Sequence, residues 1–449
     1  MLWFLLLLPV FAAALPTIEV RGNAFFISGT NTRFYMKGLD YQPGGSSKLF
    51  DPLSSPDTCK RDIAYFKQLG VNTVRIYSID NTGDHDECMQ MLDDAGIYLI
   101  LDTNIPRASI ARDSGANCSY NTMYLNEVFA SVKLMSKYNN TLGFFAANEV
   151  INDETTTPAA TVVKAVVRDI KNFQKNTGLR RIPVGYSAAD VEQNRLDTAH
   201  YFNCGDDEMA RVDMFGFNDY SWCGQSSFQL SGYSQKVQAY GNYSVPLFLS
   251  EFGCNKVRPR PFTEVGAIFS SQMSSVFSGG LVYEYSQEDN NYGLVQISSD
   301  NQTVTTNSDF DNLKKQYALV SSIPNNGGYQ TGLPHSNCPP QSETWQASND
   351  LPSTPLGALK YIRGDVEPEG HGFDANTQWA CVADGNNSDN SSSGSASTRT
   401  SSRSSSSGTS SGTSQGSSSS TSTRKNDGPT LEVASGMASM VALIMAFLL

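Results

Sequence analysis

The sequence predicts an α/β protein built on a (β/α)8 barrel, the TIM barrel, with a short N-terminal β-hairpin before it and a C-terminal extension after it. Eight apolar, β-rich runs follow one another at intervals of about 30 to 45 residues. Several of the segments between these runs carry helical patterns. Apolar strands that alternate with helices are typical of a parallel sheet covered on both faces. Eight such units favour a closed barrel over a doubly wound open sheet, which would not need eight.

The elements follow in chain order. The opening stretch IEVRGNAFFISGTNTRF alternates around Gly22-Asn23 and Gly29, which is typical of a β-hairpin. Helical patterns include CKRDIAYFKQLG, ECMQMLDDAG and AATVVKAVVRDIKNFQKNTG. We therefore expect the barrel to span 15–320 and the extension 321–385. The eight predicted strands occupy 34–41, 72–79, 97–104, 141–148, 182–189, 212–219, 246–253 and 279–286.

Both ends of the chain carry targeting patterns. Residues 1–14 are an apolar run that ends in small residues, which predicts a signal peptide rather than a membrane anchor, because the run is short for a span. Residues 426–449 combine small residues, a polar spacer and an apolar tail. This pattern predicts a GPI-anchor signal with attachment at Asn426, and a tail-anchoring helix is the alternative. Residues 386–425 are rich in Ser and Thr and predict a disordered linker, because they cannot bury a core.

The composition fits a secreted protein that handles an uncharged ligand. The formal net charge of −12 argues against nucleic acid and anionic membrane surfaces as partners. Eight cysteines in a secreted chain suggest four disulfide bonds, but the spacing alone does not decide their pairing. Sequons for N-glycosylation occur at Asn117, Asn139, Asn242, Asn301, Asn386 and Asn390.

Polar residues at the ends of the predicted strands are the candidates for a functional site, because the active sites of such barrels lie at the C-terminal ends of the strands. They are Asp40, Tyr41, Tyr77, Asp102, Asn104, Asn148, Glu149, Asp219, Tyr220, Glu251 and Tyr283.

Two glutamates stand out among these residues. Glu149 follows Asn148 at the end of the fourth predicted strand, and Glu251 ends the seventh, so we expect them to face each other across the mouth of the barrel. Such a pair can cleave a glycosidic bond, with one protonated carboxyl assisting the leaving oxygen and one ionised carboxylate attacking the anomeric carbon. The alternative is that each glutamate is a polar strand end paired with an arginine. Two glutamates on these strands, one preceded by Asn148, favour the catalytic interpretation.

Several motifs carry a family resemblance. YQPGG, GVNTVRIYSID, FFAANEVIND, NDYSWCG, LSEFGCN and GGLVYEYSQEDNNYGLV, in this order over about 17–340, resemble the fungal GPI-anchored β-1,3-glucanosyltransferases of glycoside hydrolase family 72. The resemblance implies that Glu149 is the acid/base, that Glu251 is the nucleophile and that Asn148 binds the 2-hydroxyl of the donor sugar. It also implies a glucan cleft lined by Gln42, Tyr77, Asp102, Asn104, Asp190, Arg195, Tyr220 and Tyr283.

The same resemblance implies the disulfide bonds Cys59–Cys88, Cys204–Cys338 and Cys223–Cys254, which leaves Cys118 and Cys381 to pair by elimination. Some family members carry a Cys-rich carbohydrate-binding module after the barrel. Here Cys381 alone follows Cys338, so we expect no such module.

The four histidines show no ligand spacing, and the acidic loop 81–87 lacks a full cation-binding pattern, so no metal and no cofactor is expected. The expected activity is a retaining β-1,3-glucanosyltransferase that cleaves an internal linkage and transfers the new end to another glucan chain. An endo-β-1,3-glucanase and a non-catalytic glucan-binding or adhesion protein are the alternatives. We expect a monomer held by a GPI lipid anchor at the outer face of the plasma membrane, and possible residence in the cell wall.

Overall fold

A computed structural model of the chain describes residues 14–113 and 115–377. The predictions made for residues 1–13, for the Ser/Thr-rich linker and for the GPI-anchor signal lie outside these residues, as do those for Cys381, Asn386, Asn390 and Asn426.

Within the described residues, eight parallel strands close into a barrel in the order β4, β5, β6, β7, β8, β9, β10, β11, and β11 pairs with β4. The predicted (β/α)8 barrel is thereby confirmed. The strands are β1 Ile18–Arg21, β2 Ala24–Ile27, β3 Arg33–Phe34, β4 Met36–Asp40, β5 Thr73–Ile76, β6 Tyr98–Asp102, β7 Thr141–Asn148, β8 Val184–Ala189, β9 Met214–Asp219, β10 Leu247–Phe252, β11 Phe277–Val282, β12 Val295–Ile297 and β13 Val304–Thr306.

Helices follow most barrel strands and cover the outer face of the barrel. The predicted helical segments correspond to α1, α2 and α5. The helices are α1 Pro56–Leu69, α2 Asp86–Asp94, α3 Ala116–Ser119, α4 Thr122–Ser136, α5 Ala160–Asn176, α6 Arg195–Phe202, α7 Tyr233–Ala239, α8 Glu264–Ile268, α9 Ser308–Ala318 and α10 Leu359–Ile362.

The last barrel strand lies earlier than its predicted range of 279–286, because β11 begins at Phe277 and ends at Val282. Gly279 and Gly280 therefore lie inside this strand and do not mark its start. Gly279 has φ +97°, and a Cβ atom there would lie 2.2 Å from the carbonyl oxygen of Met36 on β4. A glycine is therefore needed where the barrel closes, since its missing side chain lets the two backbones approach.

The N-terminal hairpin closes one end of the barrel. β1 and β2 pair antiparallel as predicted, and the short strand β3 adds to β2. The ring of Phe25 packs against Phe248, whose ring stacks on Phe145 inside the barrel. These apolar contacts fill the N-terminal end and leave the C-terminal ends of the strands for the site.

The C-terminal extension lies along the outer face of α5 and α4. It is tied by the disulfide bond Cys204–Cys338, and the buried ring of Trp345 packs on Tyr201. Further along, His371 contacts the buried carboxylate of Glu127 on α4, with 2.5 Å between Nδ1 and Oε1. The extension therefore covers helix faces that would otherwise be exposed to water.

Three of the expected disulfide bonds are present: Cys59–Cys88, Cys204–Cys338 and Cys223–Cys254. Cys118 is exposed and forms no disulfide bond within the described residues, and its predicted partner lies beyond them. None of the described helices is both long and apolar enough to cross a membrane. The described sequon asparagines are exposed: Asn117, Asn139, Asn242 and Asn301.

Candidate active site

The two candidate glutamates meet at the C-terminal ends of the strands. Glu149 directly follows β7, and Glu251 lies near the end of β10. Between these strands stand β8 and β9, and Asn218 on β9 is the register partner of Glu251. The parallel barrel thus places both carboxyl groups at one mouth, as the sequence predicts.

Glu251 is held by donors on both carboxylate oxygens. Its Oε1 accepts a hydrogen bond of 3.1 Å from Nη1 of Arg75 and one of 2.7 Å from the hydroxyl of Tyr77. Its Oε2 accepts one of 2.6 Å from the hydroxyl of Tyr220. Burial raises the pKa of Glu251 to about 7, while Arg75 and the two hydroxyls lower it and the charge of Glu149 raises it. The donors favour the ionised form that a nucleophile requires.

Glu149 is half-buried and is oriented by its neighbours. Its φ of +48° is unusual for a residue with a side chain, and its backbone N–H donates to the carbonyl of Ser187 at 2.9 Å. The amide of Asn218 donates to Oε1 of Glu149 at 2.8 Å and to Oδ1 of Asn148 at 3.1 Å. The hydroxyl of Ser250 donates to Oδ1 of Asn218 at 2.8 Å, which fixes the orientation of that amide. No hydrogen bond joins Oε2 of Glu149 to any described residue, so that oxygen can face a substrate.

Arg75 links the nucleophile to a second carboxylate. Its guanidinium is fully buried and donates two parallel hydrogen bonds of 2.9 Å to Asp102. Because both oxygens of Asp102 are bonded in this way, the structure gives it the role of orienting Arg75. Asp40 lies 4.0 Å from Nη1 of Arg75, and its oxygens have no hydrogen-bond partner among the described residues. Burial raises the pKa of Asp40 well above its ordinary value, and Arg75 opposes that shift.

Four tyrosine rings stand beside Glu251. Tyr283 packs edge-on against Tyr77 and Tyr220, with ring centroids 6.4 Å and 6.3 Å apart. Tyr292 lies 5.3 Å from Tyr283 and 5.4 Å from Tyr220, measured between ring centroids. Rings with hydroxyl groups suit a neutral sugar, which presents apolar C–H faces and hydroxyl groups.

Asp190 and Arg195 belong to a separate ion cluster that follows β8. Nε of Arg195 lies 2.9 Å from Oδ1 of Asp190, an ion pair by distance although its angle does not make a hydrogen bond. Lys236 donates to Oδ2 of Asp190 at 2.7 Å and also contacts Asp219. No hydrogen bond or ion pair among the described residues joins this cluster to Glu149 or Glu251.

The side-chain amides of Gln42 and Asn104 form hydrogen bonds with other groups of the protein. Oε1 of Gln42 accepts from the backbone N–H groups of Tyr77 and Ser78 at 3.2 Å each, and its Nε2 donates to the carbonyl of Phe50 at 2.5 Å. Asn104 donates to a backbone carbonyl on β7 at 2.6 Å and accepts from the Tyr124 hydroxyl at 2.5 Å. These hydrogen bonds hold the strand ends in place, and the prediction that both residues line a glucan cleft stays a prediction.

The sequence reasoning missed Arg75, Asn218 and Tyr292. Arg75 had a detectable signal, since a lone charge inside the apolar run NTVRIYSI must be paired when it is buried. Asn218 and Tyr292 had no such signal, because their roles depend on neighbours from other strands and loops.

The acidic loop at 81–87 is occupied by protein contacts. Nε2 of His85 lies 2.6 Å from Oδ2 of Asp51, and Oδ1 of Asp86 lies 2.7 Å from the ammonium of Lys137. Within residues 14–113 and 115–377, no group of three or more His, Cys, Asp or Glu side chains is arranged to hold a metal ion.

A closed (β/α)8 barrel with two glutamates at its mouth, one held by three donors and the other by a single amide among the described residues, is an arrangement typical of enzymes that act on glycosidic bonds.

Comparisons with known proteins narrow this class. The glucanosyltransferase model of glycoside hydrolase family 72 matches residues 8–321. The chain is 58% identical over 376 residues to 1,3-beta-glucanosyltransferase PGA4 of Candida albicans, covering 84% of this chain and 83% of that protein. It is 57% identical over 371 residues to 1,3-beta-glucanosyltransferase GAS5 of Saccharomyces cerevisiae, covering 82% of this chain and 76% of that protein.

Solved structures agree with these matches. A mutant of Saccharomyces cerevisiae Gas2p in complex with laminaritetraose and laminaripentaose is 41% identical with a TM-score of 0.69, covering 76% of this chain and 75% of that one. The chain belongs to the glucanosyltransferase family, glycoside hydrolase family 72.

Proposed function

We propose that this chain is a retaining 1,3-β-glucanosyltransferase, which cleaves an internal linkage of a β-1,3-glucan and joins the new end to another β-1,3-glucan chain. The observation that carries the proposal is the different hydrogen bonding of the two glutamates at the barrel mouth. Three side chains donate to Glu251, whereas among the described residues Asn218 alone donates to the side chain of Glu149. The named relatives and the laminari-oligosaccharides bound to the Gas2p mutant support the choice of glucan.

In the first step the carboxylate of Glu251 attacks the anomeric carbon of the donor sugar. The glycosidic C–O bond breaks, and the proton of Glu149 passes to the departing oxygen, so that the leaving glucan ends in a free hydroxyl. A covalent ester between Glu251 and the sugar remains. Asn148 lies beside Glu149 and is the residue expected to bind the 2-hydroxyl of that sugar, a contact that strengthens in the transition state.

In the second step Glu149, now ionised, takes the proton from the 3-hydroxyl of an acceptor glucan. The acceptor oxygen attacks the anomeric carbon, the ester bond breaks, and Glu251 leaves as a carboxylate. Two inversions return the β configuration. Arg75, Tyr77 and Tyr220 donate hydrogen bonds to Glu251, so they stabilise the charge when it returns to that carboxylate.

Transfer and hydrolysis differ in the acceptor, which is a sugar hydroxyl or water. The test is to incubate the purified protein with reduced laminari-oligosaccharides and separate the products by length. Products longer than the substrate are expected. If every product is shorter, the protein is an endo-β-1,3-glucanase and the transfer proposal is wrong.

Glu251→Gln keeps the shape of the side chain and removes the nucleophile, so transfer and hydrolysis should both fall by roughly a thousandfold or more. Glu264→Gln is the matched control, since Glu264 is a buried glutamate that contacts neither candidate residue. Equal glucan processing by wild type and Glu251→Gln would mean that Glu251 is not the nucleophile. Binding of glucan with no processing by the wild type would point to a non-catalytic glucan-binding protein.

We further propose that the protein is a monomer held at the outer face of the plasma membrane by a GPI lipid anchor on Asn426, with possible residence in the cell wall. The signal-peptide pattern at 1–14, the anchor pattern at 426–449 and the sequons support this route. Release of the protein from intact cells by a phosphatidylinositol-specific phospholipase is expected. Retention after that treatment, with loss after a detergent wash, would favour a tail-anchoring helix.

A further inference from the structure

An open groove lies between the barrel and the C-terminal extension. Its volume is about 430 Å³, and it lies beside the start of α5, between α3 on one side and residues 346–352 on the other. That volume lies within the range of about 300 to 1,000 Å³ that is typical of small-ligand sites. The polar residues Gln346, Ser348 and Asp350 and the apolar residues Pro158 and Pro352 line it.

Asn117 forms part of the wall of this groove and belongs to the sequon Asn117-Cys118-Ser119. Asn117 is exposed and lines the groove, so a group attached to its amide would begin at the edge of the groove. Amide and carboxylate groups match the hydroxyls and acetamido group of an N-acetylglucosamine, and proline rings match its apolar face.

We propose that Asn117 carries an N-linked glycan whose first N-acetylglucosamine lies in this groove and joins the barrel to the C-terminal extension. The bond forms between Nδ2 of Asn117 and the anomeric carbon of a lipid-pyrophosphate-linked oligosaccharide. The carbon–oxygen bond to the pyrophosphate breaks, and the amide loses one proton. The occupant is thus a sugar attached covalently to this chain.

The groove lies next to the segment that follows Glu149. The backbone N–H of Gln346 donates to the hydroxyl of Thr157 at 3.0 Å, and Ser348 and Thr161 exchange hydrogen bonds of 3.0 Å and 3.1 Å. A sugar that contacts both walls therefore restrains the extension where it touches the end of the loop 150–157. Its loss should loosen these hydrogen bonds first.

The test compares Asn117→Gln with Asn139→Gln in the full chain secreted from a yeast host. Asn139 is an exposed sequon asparagine that does not line the groove, so it controls for the loss of one glycan. Ser119→Ala is unsuitable, because the buried Ser119 hydroxyl accepts from the backbone N–H of Ala111 at 3.0 Å and donates to the carbonyl of Ala116 at 2.8 Å. Peptide mass spectrometry measures occupancy, and hydrogen exchange measures the opening of 346–352.

We expect Asn117 to be glycosylated in the wild type, and amide exchange in 346–352 to become about tenfold faster in Asn117→Gln and to stay unchanged in Asn139→Gln. Trimming the native glycans with endoglycosidase H, which leaves the first sugar, should preserve the slow exchange. A bare Asn117 beside occupied Asn139 or Asn242 would overturn the proposal. So would unchanged exchange in Asn117→Gln, which would mean that the groove needs no sugar. If every sequon is bare, the proposed secretory route fails as well.

Discussion

Replacing Tyr77 with phenylalanine should move the acid limb of the pH profile of kcat/KM to higher pH. The Tyr77 hydroxyl donates a 2.7 Å hydrogen bond to the buried carboxylate of Glu251, and this bond lowers the pKa of that carboxyl. A hydrogen bond to a charged group contributes about 1.5 to 3 kcal/mol, and about 1.4 kcal/mol corresponds to one pKa unit. Its loss should therefore raise the pKa of Glu251 by about one to two units from about 7.

The sign follows from the role of Glu251. The nucleophile works as a carboxylate, so activity is lost as the pH falls through its pKa, and a higher pKa brings that loss at higher pH. At pH 6 the ionised fraction of Glu251 should fall by about ten- to a hundredfold in Tyr77→Phe. The assay is release and transfer of labelled laminari-oligosaccharides at low substrate concentration between pH 4 and 9.

Two companion variants make the experiment decisive. Tyr220→Phe removes the 2.6 Å hydrogen bond to the other oxygen of Glu251 and should shift the limb in the same direction. Tyr283→Phe is the control, because the Tyr283 hydroxyl bonds Ser46 at 3.4 Å and does not bond Glu251. A uniform loss of activity at every pH, with the limb unmoved, would refute the reasoning and leave Tyr77 a structural role.

Three further outcomes are expected. Asn218→Ala should lower kcat/KM by roughly a hundredfold, because Glu149 loses the amide that orients it, and circular dichroism should show an intact fold. Glu264→Gln should stabilise the protein at pH 8 by up to about 3 kcal/mol and not at pH 4, as urea unfolding can measure. The reason is that burial raises the pKa of Glu264 to about 7, so the stability of the wild type is present below the unfolded-state pKa and declines as the pH rises towards 7. Gly279→Ala should destabilise the protein by about 2 kcal/mol or more, since the new Cβ would meet the backbone of β4, whereas Gly266→Ala, with no atom within 4 Å of its Cβ position, should not.

Much of the fold could be predicted because the barrel strands are short apolar runs in a regular order. β7 and β10 illustrate this, since each is buried along nearly its whole length and the polar residues occur where each strand ends. Helix α4 shows which contacts cannot be predicted from the sequence. Asn126 and Glu127 on α4 are buried, because residues 367–371 of the extension cover that face and bond both side chains. No local periodicity can report contacts with residues more than 240 positions away along the chain.

Some residues of the candidate site could be predicted from the sequence and others could not. The two glutamates and Asn148 were accessible from sequence because strand ends of a parallel barrel converge on one mouth. The contacts of Gln42 and Asn104 could not be predicted from the sequence, because an amide near a strand end can face either a sugar or a backbone group. In the structure Gln42 bonds the backbone of Tyr77 and Ser78, so it acts on the site by holding the residue that donates to Glu251.

The hydrogen-bond donors around the two glutamates differ, and this difference bears on the role of each glutamate. Burial and the charge of Glu149 raise the pKa of Glu251, whereas Arg75, Tyr77 and Tyr220 lower it. Arg75, Tyr77 and Tyr220 all donate to Glu251, whereas Glu149 accepts from an amide that serves a neutral or a charged carboxyl. The donors that favour a negative charge are therefore gathered on Glu251. This difference supports the proposed roles, with Glu251 as the nucleophile and Glu149 as the acid/base.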